Sequence, residues 1–362
     1  MKINKYIISG GGTGGHIYPA LSIANEIKND NPESELLFVG STGKMEMNKI
    51  PDSGFNIIGI PVDGFQRSFS FKNILFPFKL LVSIIKSIFI VARFKPDIVI
   101  GTGGFASGPV VFVSQLMGYP TLIQEQNSYP GITNKILGKK AKFISVAYSK
   151  MDKFFPKEKI VFTGNPVRKD IIFNEIKPMD AKLFFDLDPN KPIIGVIGGS
   201  LGALNLNKII SKNLNIFNDL GVQVIWQCGN LYYEKYKFLQ TKSIKILPFI
   251  SKMNFLYKSV DVLISRSGAS TISEICITNT PSILIPSPNV AENHQYHNAI
   301  ELFNLNASEL IEEKNLEKKI KTVLPEFWLN YSLRKKMKKN LQKLSKPNAT
   351  KDIVKLIKEI IN

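Results

Sequence analysis

The segment KYIISGGGTGGH, Lys5–His16, decides the fold. It opens with a short apolar run, Tyr6–Ser9, and passes at once into glycines, with the next helical pattern beginning near Pro19. A strand that enters such a turn and leaves it as a helix is the opening unit of a nucleotide-binding α/β domain. The glycines let backbone N–H groups come close to a phosphate, and the helix N-terminus adds partial positive charge. The dinucleotide fingerprint also has glycines at such a turn. Here its acidic ribose contact is missing, because Val39 leads straight into GSTGK at Gly40–Lys44. That second stretch is no P-loop either, since its spacing is short and Met45 stands where Ser or Thr is needed.

Outward from this segment, short runs alternate with helical patterns. Tyr6–Ser9, Leu36–Val39, Asp97–Ile100, Thr121–Gln124 and Phe143–Val146 read as strands. After a Pro-containing stretch over 165–192 the same grammar restarts with Ile193–Ile197, Val222–Gln227, Ile244–Ile246, Val262–Ile264 and Ser282–Ile285. Alternation of this kind predicts parallel sheets with crossover helices, hence an α/β fold of two Rossmann-like domains in tandem. The expected boundaries are 1–166 and 167–345. The Lys-rich tail after Phe327 predicts a kinked terminal helix, broken at Pro347 and restarted at Asn348 or Thr350. Its last part, 346–362, is expected to pack back on the first domain.

At 362 residues the chain exceeds what a single core usually holds, which agrees with two domains. The formal charge of +18 should attract anionic lipid, phosphate-bearing substrate or nucleic acid, or it reflects lysines that are simply solvated. No recognition helix or stacking platform accompanies the charge, so nucleic acid is set aside. Cys228 and Cys276 both lie in apolar segments and read as buried thiols in a reducing compartment, not as a disulfide or zinc ligands. The N-terminal apolar run is too short for a signal peptide. The uncharged stretch Ile98–Gln124 contains Pro109, Pro120 and several glycines, and reads as strand, loop and helix instead of a membrane span. Ile74–Ala92 is helical in pattern, carries Lys79 and Lys86, and has Phe69, Phe71, Phe76 and Phe78 before or within it. It is too charged to span a bilayer but suited to lie on one, a buried core helix being the alternative.

Two further glycine turns follow strands: GTGGF at Gly101–Phe105 and GGSLGA at Gly198–Ala203. Any one of them could merely permit a tight connection; all three together point to phosphate-bearing ligands. Downstream lie SRSGASTISE at Ser265–Glu274 and PSPNVAENHQYHNA at Pro286–Ala299. Glu274 falls in the first turns of a helix, where its carboxylate either accepts the two hydroxyls of a ribose or simply complements the helix terminus. Gln295 and Asn298, three apart, share one helical face.

Together with EQNS at Glu125–Ser128 and GNPVR at Gly164–Arg168, these motifs make the chain resemble the MurG family over nearly its whole length. The resemblance implies a GT-B architecture, with the two parallel sheets facing across a cleft. It implies inverting transfer of N-acetylglucosamine from UDP-N-acetylglucosamine to the muramoyl C4 hydroxyl of an undecaprenyl-diphosphate-linked muramoyl-pentapeptide, lipid I, to give lipid II in peptidoglycan synthesis. Donor contacts implied in this way are Thr13, Gly14, Gly15 and Asn127 from the first domain. From the second come Arg168, Ser200, Ile250, Ala269, Ser270, Thr271, Ile272, Ser273, Glu274 and Gln295. Arg168 and Ser200 suit the diphosphate, backbone groups of Ile250 the uracil edge, Glu274 the ribose and Gln295 the sugar. Gly103 and Gly104, with the first glycine turn, would face the acceptor's diphosphate.

An inverting transfer needs a base near the acceptor hydroxyl. His16 is the candidate, with a purely structural or phosphate-binding role as its alternative; His294 and His297 read as helix-surface residues. The leaving diphosphate can be stabilised by Arg168, Ser200 and a helix N-terminus, so no cofactor and no dedicated metal are expected, a diffuse magnesium requirement staying open. Asp186 and Asp188 form a D-x-D string that reads as a solvated turn. The expected location is the cytoplasmic face of the inner membrane, bound peripherally to an anionic surface, with a cell-wall synthesis complex as a possible partner. Rival readings are a diacylglycerol glycosyltransferase, a UDP-N-acetylglucosamine 2-epimerase, or a non-catalytic nucleotide-sugar-binding subunit.

Overall fold

A computed structural model describes residues 3–64 and 75–361. The chain forms two compact units, Met1–Val167 with Asn348–Asn362, and Arg168–Pro347. The first holds seven parallel strands: β1 Lys5–Gly10, β2 Glu35–Ser41, β3 Asn56–Ile60, β4 Ile98–Gly103, β5 Thr121–Glu125, β6 Phe143–Val146 and β7 Ile160–Phe162, ordered 3-2-1-4-5-6-7. The second holds six: β8 Ile193–Ile197, β9 Gln223–Gln227, β10 Ile244–Leu247, β11 Val262–Ser265, β12 Ser282–Leu284 and β13 Glu309–Leu310, ordered 10-9-8-11-12-13 and again all parallel.

Both sheets are Rossmann-like, and each reverses its winding once, between β1 and β4 and between β8 and β11. In open α/β sheets the crevice beyond the carboxyl ends of the strands at such a reversal is where ligands bind. The glycine turns at Gly10, Gly101 and Gly198 follow β1, β4 and β8, and SRSGASTISE follows β11. The four motif loops therefore flank the two reversal points, two in each unit.

Strands buried on both faces need continuous apolar side chains. In the first unit Ile7, Val39, Val99 and Ile123 pack on one face and Ile8, Phe38, Ile100 and Leu122 on the other. The second face is closed by the Gly14–Asp30 helix and by the Ala349–Ile361 helix, which inserts Ile353, Leu356 and Ile357. The Gly14–Asp30 helix starts five residues ahead of the expected Pro19, which lies inside it and forfeits one backbone bond near the N-terminal end. The tail is two helices, Tyr331–Leu344 and Ala349–Ile361, instead of one kinked helix. Ser345 leaves the helical region ahead of Pro347, as the residues before a proline tend to.

The Phe76–Phe94 helix is inverted relative to an ordinary surface helix. Ser83, Ser87 and Val91, four apart, face inward, and Ser87 Oγ donates to the Ser83 carbonyl. Their small size lets the helix seat closely on Ser107–Leu116. Phe78, Leu81, Val82, Ile85, Ile88 and Phe89 point outward, Phe89 at 70% exposure. Phe69, Phe71 and Ile74 lie outside the described residues. No described helix is long and apolar enough to cross a membrane.

Candidate functional site

In the first unit the β1 and β4 turns pack backbone to backbone. Gly11 N–H donates to Gly103 O at 3.3 Å. Gly104 has φ +82°, and a Cβ there would sit 2.2 Å from the Gly11 carbonyl oxygen, so only glycine fits. From the other side Glu46, fully buried, accepts from Gly12 N–H and from Ser41 N–H, both at 2.9 Å. These contacts shape the turn ahead of Thr13, which starts the Gly14–Asp30 helix without a side-chain cap. The uncapped first amides of Gly14 and Gly15 offer N–H groups and a positive helix end to an anion.

His16 occupies the first turn of that helix. Its Nδ1 lies 2.9 Å from Gln126 Oε1 and 3.0 Å from the Thr102 carbonyl, and Thr102 Oγ1 donates to the His16 carbonyl at 3.0 Å. Gly103 packs against the imidazole so closely that a Cβ would lie 2.7 Å from Nδ1. At the tip of β5, Glu125 accepts from Asn127 N–H at 2.9 Å and from Asn134 Nδ2 at 2.8 Å. Burial pushes this carboxyl above the ordinary glutamate range, with those donors opposing the rise. Thr13, Gly14, Gly15, His16, Gly103, Gly104 and Asn127 thus all lie on the turns at the carboxyl ends of β1, β4 and β5.

In the second unit Glu274, on the Ala269–Thr278 helix after β11, accepts from Tyr257 Oη at 2.9 Å. Arg168 Nη2 stands 3.6 Å from its other oxygen. Burial raises the Glu274 carboxyl above its ordinary value, while Arg168 and the Tyr257 hydrogen bond act against this. The same burial, reinforced by the Glu274 charge, holds the Tyr257 hydroxyl well above the usual tyrosine range. Arg168 therefore sits beside the residue expected to hold the ribose. Ala269, Ser270, Thr271, Ile272 and Ser273 form the first turns of the helix, which begins at Gly268 without a side-chain cap. Ala269 and Ile272 are buried, while Ser270, Thr271 and Ser273 are half-buried.

Ser200 is exposed in the turn after β8. Gln227, at the end of β9, donates from Nε2 to Gly199 O in that turn and accepts Ile250 N–H at Oε1, each at 2.8 Å. The Ile250 amide is thereby engaged inside the protein. Gln295 accepts Ser287 N–H at 2.9 Å, and Ser267 Oγ donates to the Gln295 carbonyl at 2.8 Å. The buried Arg266 pairs with Glu313 and donates to the carbonyls of Ile285 and Pro286, fixing the chain that leads to Gln295. His294 is on the same helix; burial lowers its basicity. Asp186 and Asp188 are exposed, Asp186 pairing with Lys245 at 2.6 Å. Cys228 and Cys276 are buried and unbonded to each other, and burial pushes the Cys276 thiol up to about 12.

Sequence reasoning did not single out Glu46, Gln126, Tyr257 or Gln227. Gln126 lies within EQNS, yet nothing local marks which of its neighbours faces the imidazole.

The chain matches the model of the glycosyltransferase family 28 N-terminal domain over residues 6–146 and that of the family 28 C-terminal domain over 193–357. It is 50% identical over 362 residues to the UDP-N-acetylglucosamine–N-acetylmuramyl-(pentapeptide) pyrophosphoryl-undecaprenol N-acetylglucosamine transferase of Flavobacterium psychrophilum, covering 100% of this chain and 99% of that protein. The enzyme of the same name from Cytophaga hutchinsonii is 48% identical, covering 100% of this chain and 98% of its own. Among solved structures, Acinetobacter baumannii MurG superposes with a TM-score of 0.77 at 27% identity, over 98% of this chain and 99% of that one. A UDP-N-acetylglucosamine 2-epimerase at 14% identity and a TM-score of 0.63 shares the fold. With its paired reversal-point loops and its full-length match to these relatives, the chain belongs to the MurG family of GT-B glycosyltransferases.

Proposed function

We propose that this protein transfers N-acetylglucosamine from UDP-N-acetylglucosamine to the muramoyl C4 hydroxyl of lipid I, giving lipid II. The observation that carries the donor assignment is Glu274. A half-buried carboxylate, oriented by Tyr257 and neighboured by Arg168 at a reversal point, suits the paired hydroxyls of a ribose. The turn bearing Ser200 and the uncapped amides near Gly268 supply N–H groups and hydroxyls to the diphosphate, with Arg168 adding positive charge. Negative charge developing on departing UDP is then met by fixed protein groups, so we assign the enzyme no resident metal. In the first unit the turns of Gly10–His16 and Gly101–Phe105 suit the acceptor's diphosphate, and His16 the hydroxyl proton.

The Phe76–Phe94 helix carries outward apolar side chains, Phe112 and Leu116 are exposed on the helix it packs against, and of its cations Lys86 and Arg93 are exposed while Lys79 pairs with Asp63. Apolar side chains beside exposed cations suit an anionic bilayer surface, the place where a polyprenyl-linked acceptor resides. We therefore assign a peripheral position on the cytoplasmic face of the membrane.

The test is UDP release from UDP-N-acetylglucosamine by purified protein, with and without a lipid I analogue, in wild type and Glu274→Ala. Release that needs the acceptor and drops at least a hundredfold in the variant is expected. Release without acceptor, with free sugar as product, would replace this reading by an epimerase.

A further inference from the structure

His16 is held by a closed set of buried amides whose orientation determines where its ring hydrogen sits. Gln124 Nε2 donates to Asn165 Oδ1 at 2.9 Å, and Asn165 Nδ2 donates to the Gln126 carbonyl at 3.0 Å. The Gln126 amide nitrogen donates to the Thr102 carbonyl at 2.7 Å and the Gln124 carbonyl at 3.0 Å, and also to Gln124 Oε1. Gln124, Gln126, Asn165 and Thr102 are each at most 3% exposed, so water does not compete for these bonds. Turning the Gln126 amide over would set its oxygen against three acceptor oxygens in a dry site, which leaves one orientation. In that orientation Oε1 faces His16 Nδ1 at 2.9 Å, and the second neighbour of Nδ1 is the Thr102 carbonyl. An amide oxygen and a backbone carbonyl can only accept, so Nδ1 carries the hydrogen.

We propose that Gln126 is a positioning residue that locks His16 in the Nδ1–H tautomer, making Nε2 the ring nitrogen that exchanges a proton with substrate. The inference deepens the transfer reading above and rests on it for its chemical consequence. As the acceptor C4 oxygen bonds to the anomeric carbon, the anomeric bond to UDP breaks with its electron pair. The hydroxyl proton passes to Nε2 while Nδ1 keeps its own. The acceptors beside Nδ1 are a neutral amide and a neutral backbone carbonyl, so neither adds the negative charge with which a carboxylate would favour the imidazolium. The remaining amides in the set serve Gln126: together with the Thr102 carbonyl, Gln124 and Asn165 hold it against rotation.

The test is nitrogen-15 NMR of histidine-labelled full-length protein, with His16→Ala identifying the His16 signals. The wild-type spectrum is expected to show a protonated Nδ1 and an unprotonated Nε2 at pH above the ring's titration. In Gln126→Leu, where of the two acceptors beside Nδ1 only the Thr102 carbonyl is left, the population shifts part of the way toward Nε2–H, the form free imidazole side chains favour, and turnover falls about tenfold or more. A wild-type His16 protonated on Nε2, or a Leu variant with the tautomer unchanged, overturns the proposal, and the first result needs no variant to fold. If the tautomer responds as expected but His16→Ala turns over normally, the lock stands and the base assignment falls instead.

Discussion

The Tyr257 hydroxyl donates to Glu274 across 2.9 Å, joining a buried ring to a half-buried carboxylate on a separate helix. Tyr257→Phe keeps the ring and removes only that donor, so Glu274 loses its orientation and a charge-assisted bond of about 1.5–3 kcal/mol net. Affinity for UDP measured by calorimetry is expected to drop about tenfold, with little change in the sheet's stability.

Burial raises the Glu274 carboxyl, so it takes up a proton at a higher pH than a free glutamate. Only the ionised form accepts from two ribose hydroxyls at once. Donor affinity should therefore begin to fall at a pH above the ordinary value of 4.5 as the solution is acidified, and Glu274→Gln should remove that dependence. A titration of the UDP dissociation constant from neutral to acid reads this directly. An unchanged pH dependence in the Gln variant would remove Glu274 from the donor site.

The buried Glu46 carboxylate binds the buried Ser41 N–H and the N–H of exposed Gly12. Glu46→Ala leaves the Ser41 donor buried without an acceptor, at about 1–3 kcal/mol, and frees the Gly12 turn. Urea denaturation should show the loss, and acceptor-dependent turnover should fall with UDP affinity nearly intact, because the affected turn belongs to the first unit.

Two glycines in left-handed conformations should respond differently to alanine. Gly12, with φ +84°, has nothing within 4 Å of a Cβ, so Gly12→Ala costs about 1 kcal/mol of backbone strain. Gly104→Ala forces the same strain and also drives a Cβ into the Gly11 carbonyl, for about 3 kcal/mol or more. Thermal unfolding of the two variants side by side tests the ordering.

Replacing Phe78 and Phe89 by serine removes apolar surface that is already exposed, so the melting temperature should not fall. Sedimentation with anionic vesicles should weaken about a hundredfold for the pair, taking about 1.5–3 kcal/mol for each fully buried phenylalanine. Retained vesicle binding would move the membrane contact elsewhere.

The ten strands expected from the sequence all form, within three residues at their ends, because a strand covered on both faces must be apolar throughout. The three it did not reveal are edge strands with weak signatures. β3 contains Gly59, β7 has three residues and β13 has two. The glycine turns were legible because close backbone approach leaves no other residue possible, as Gly104 shows. The residues that hold the site were not. Gln126 meets His16 across 110 positions, Glu46 meets Gly12 across 34 and Gln227 meets Ile250 across 23, and no local pattern encodes such pairings.

The Ala349–Ile361 helix fills the core beneath β1 and β4 with Ile353 and Ile357, yet it is translated after the entire second unit. The half of the molecule made first is therefore the last to be completed on the ribosome. Until its closing helix arrives, the apolar side chains of Ile17, Ile23 and Ile100 wait without their final cover. Chain truncation near residue 348 should thus damage the acceptor-side glycine turns, hundreds of residues upstream, before it touches the donor site.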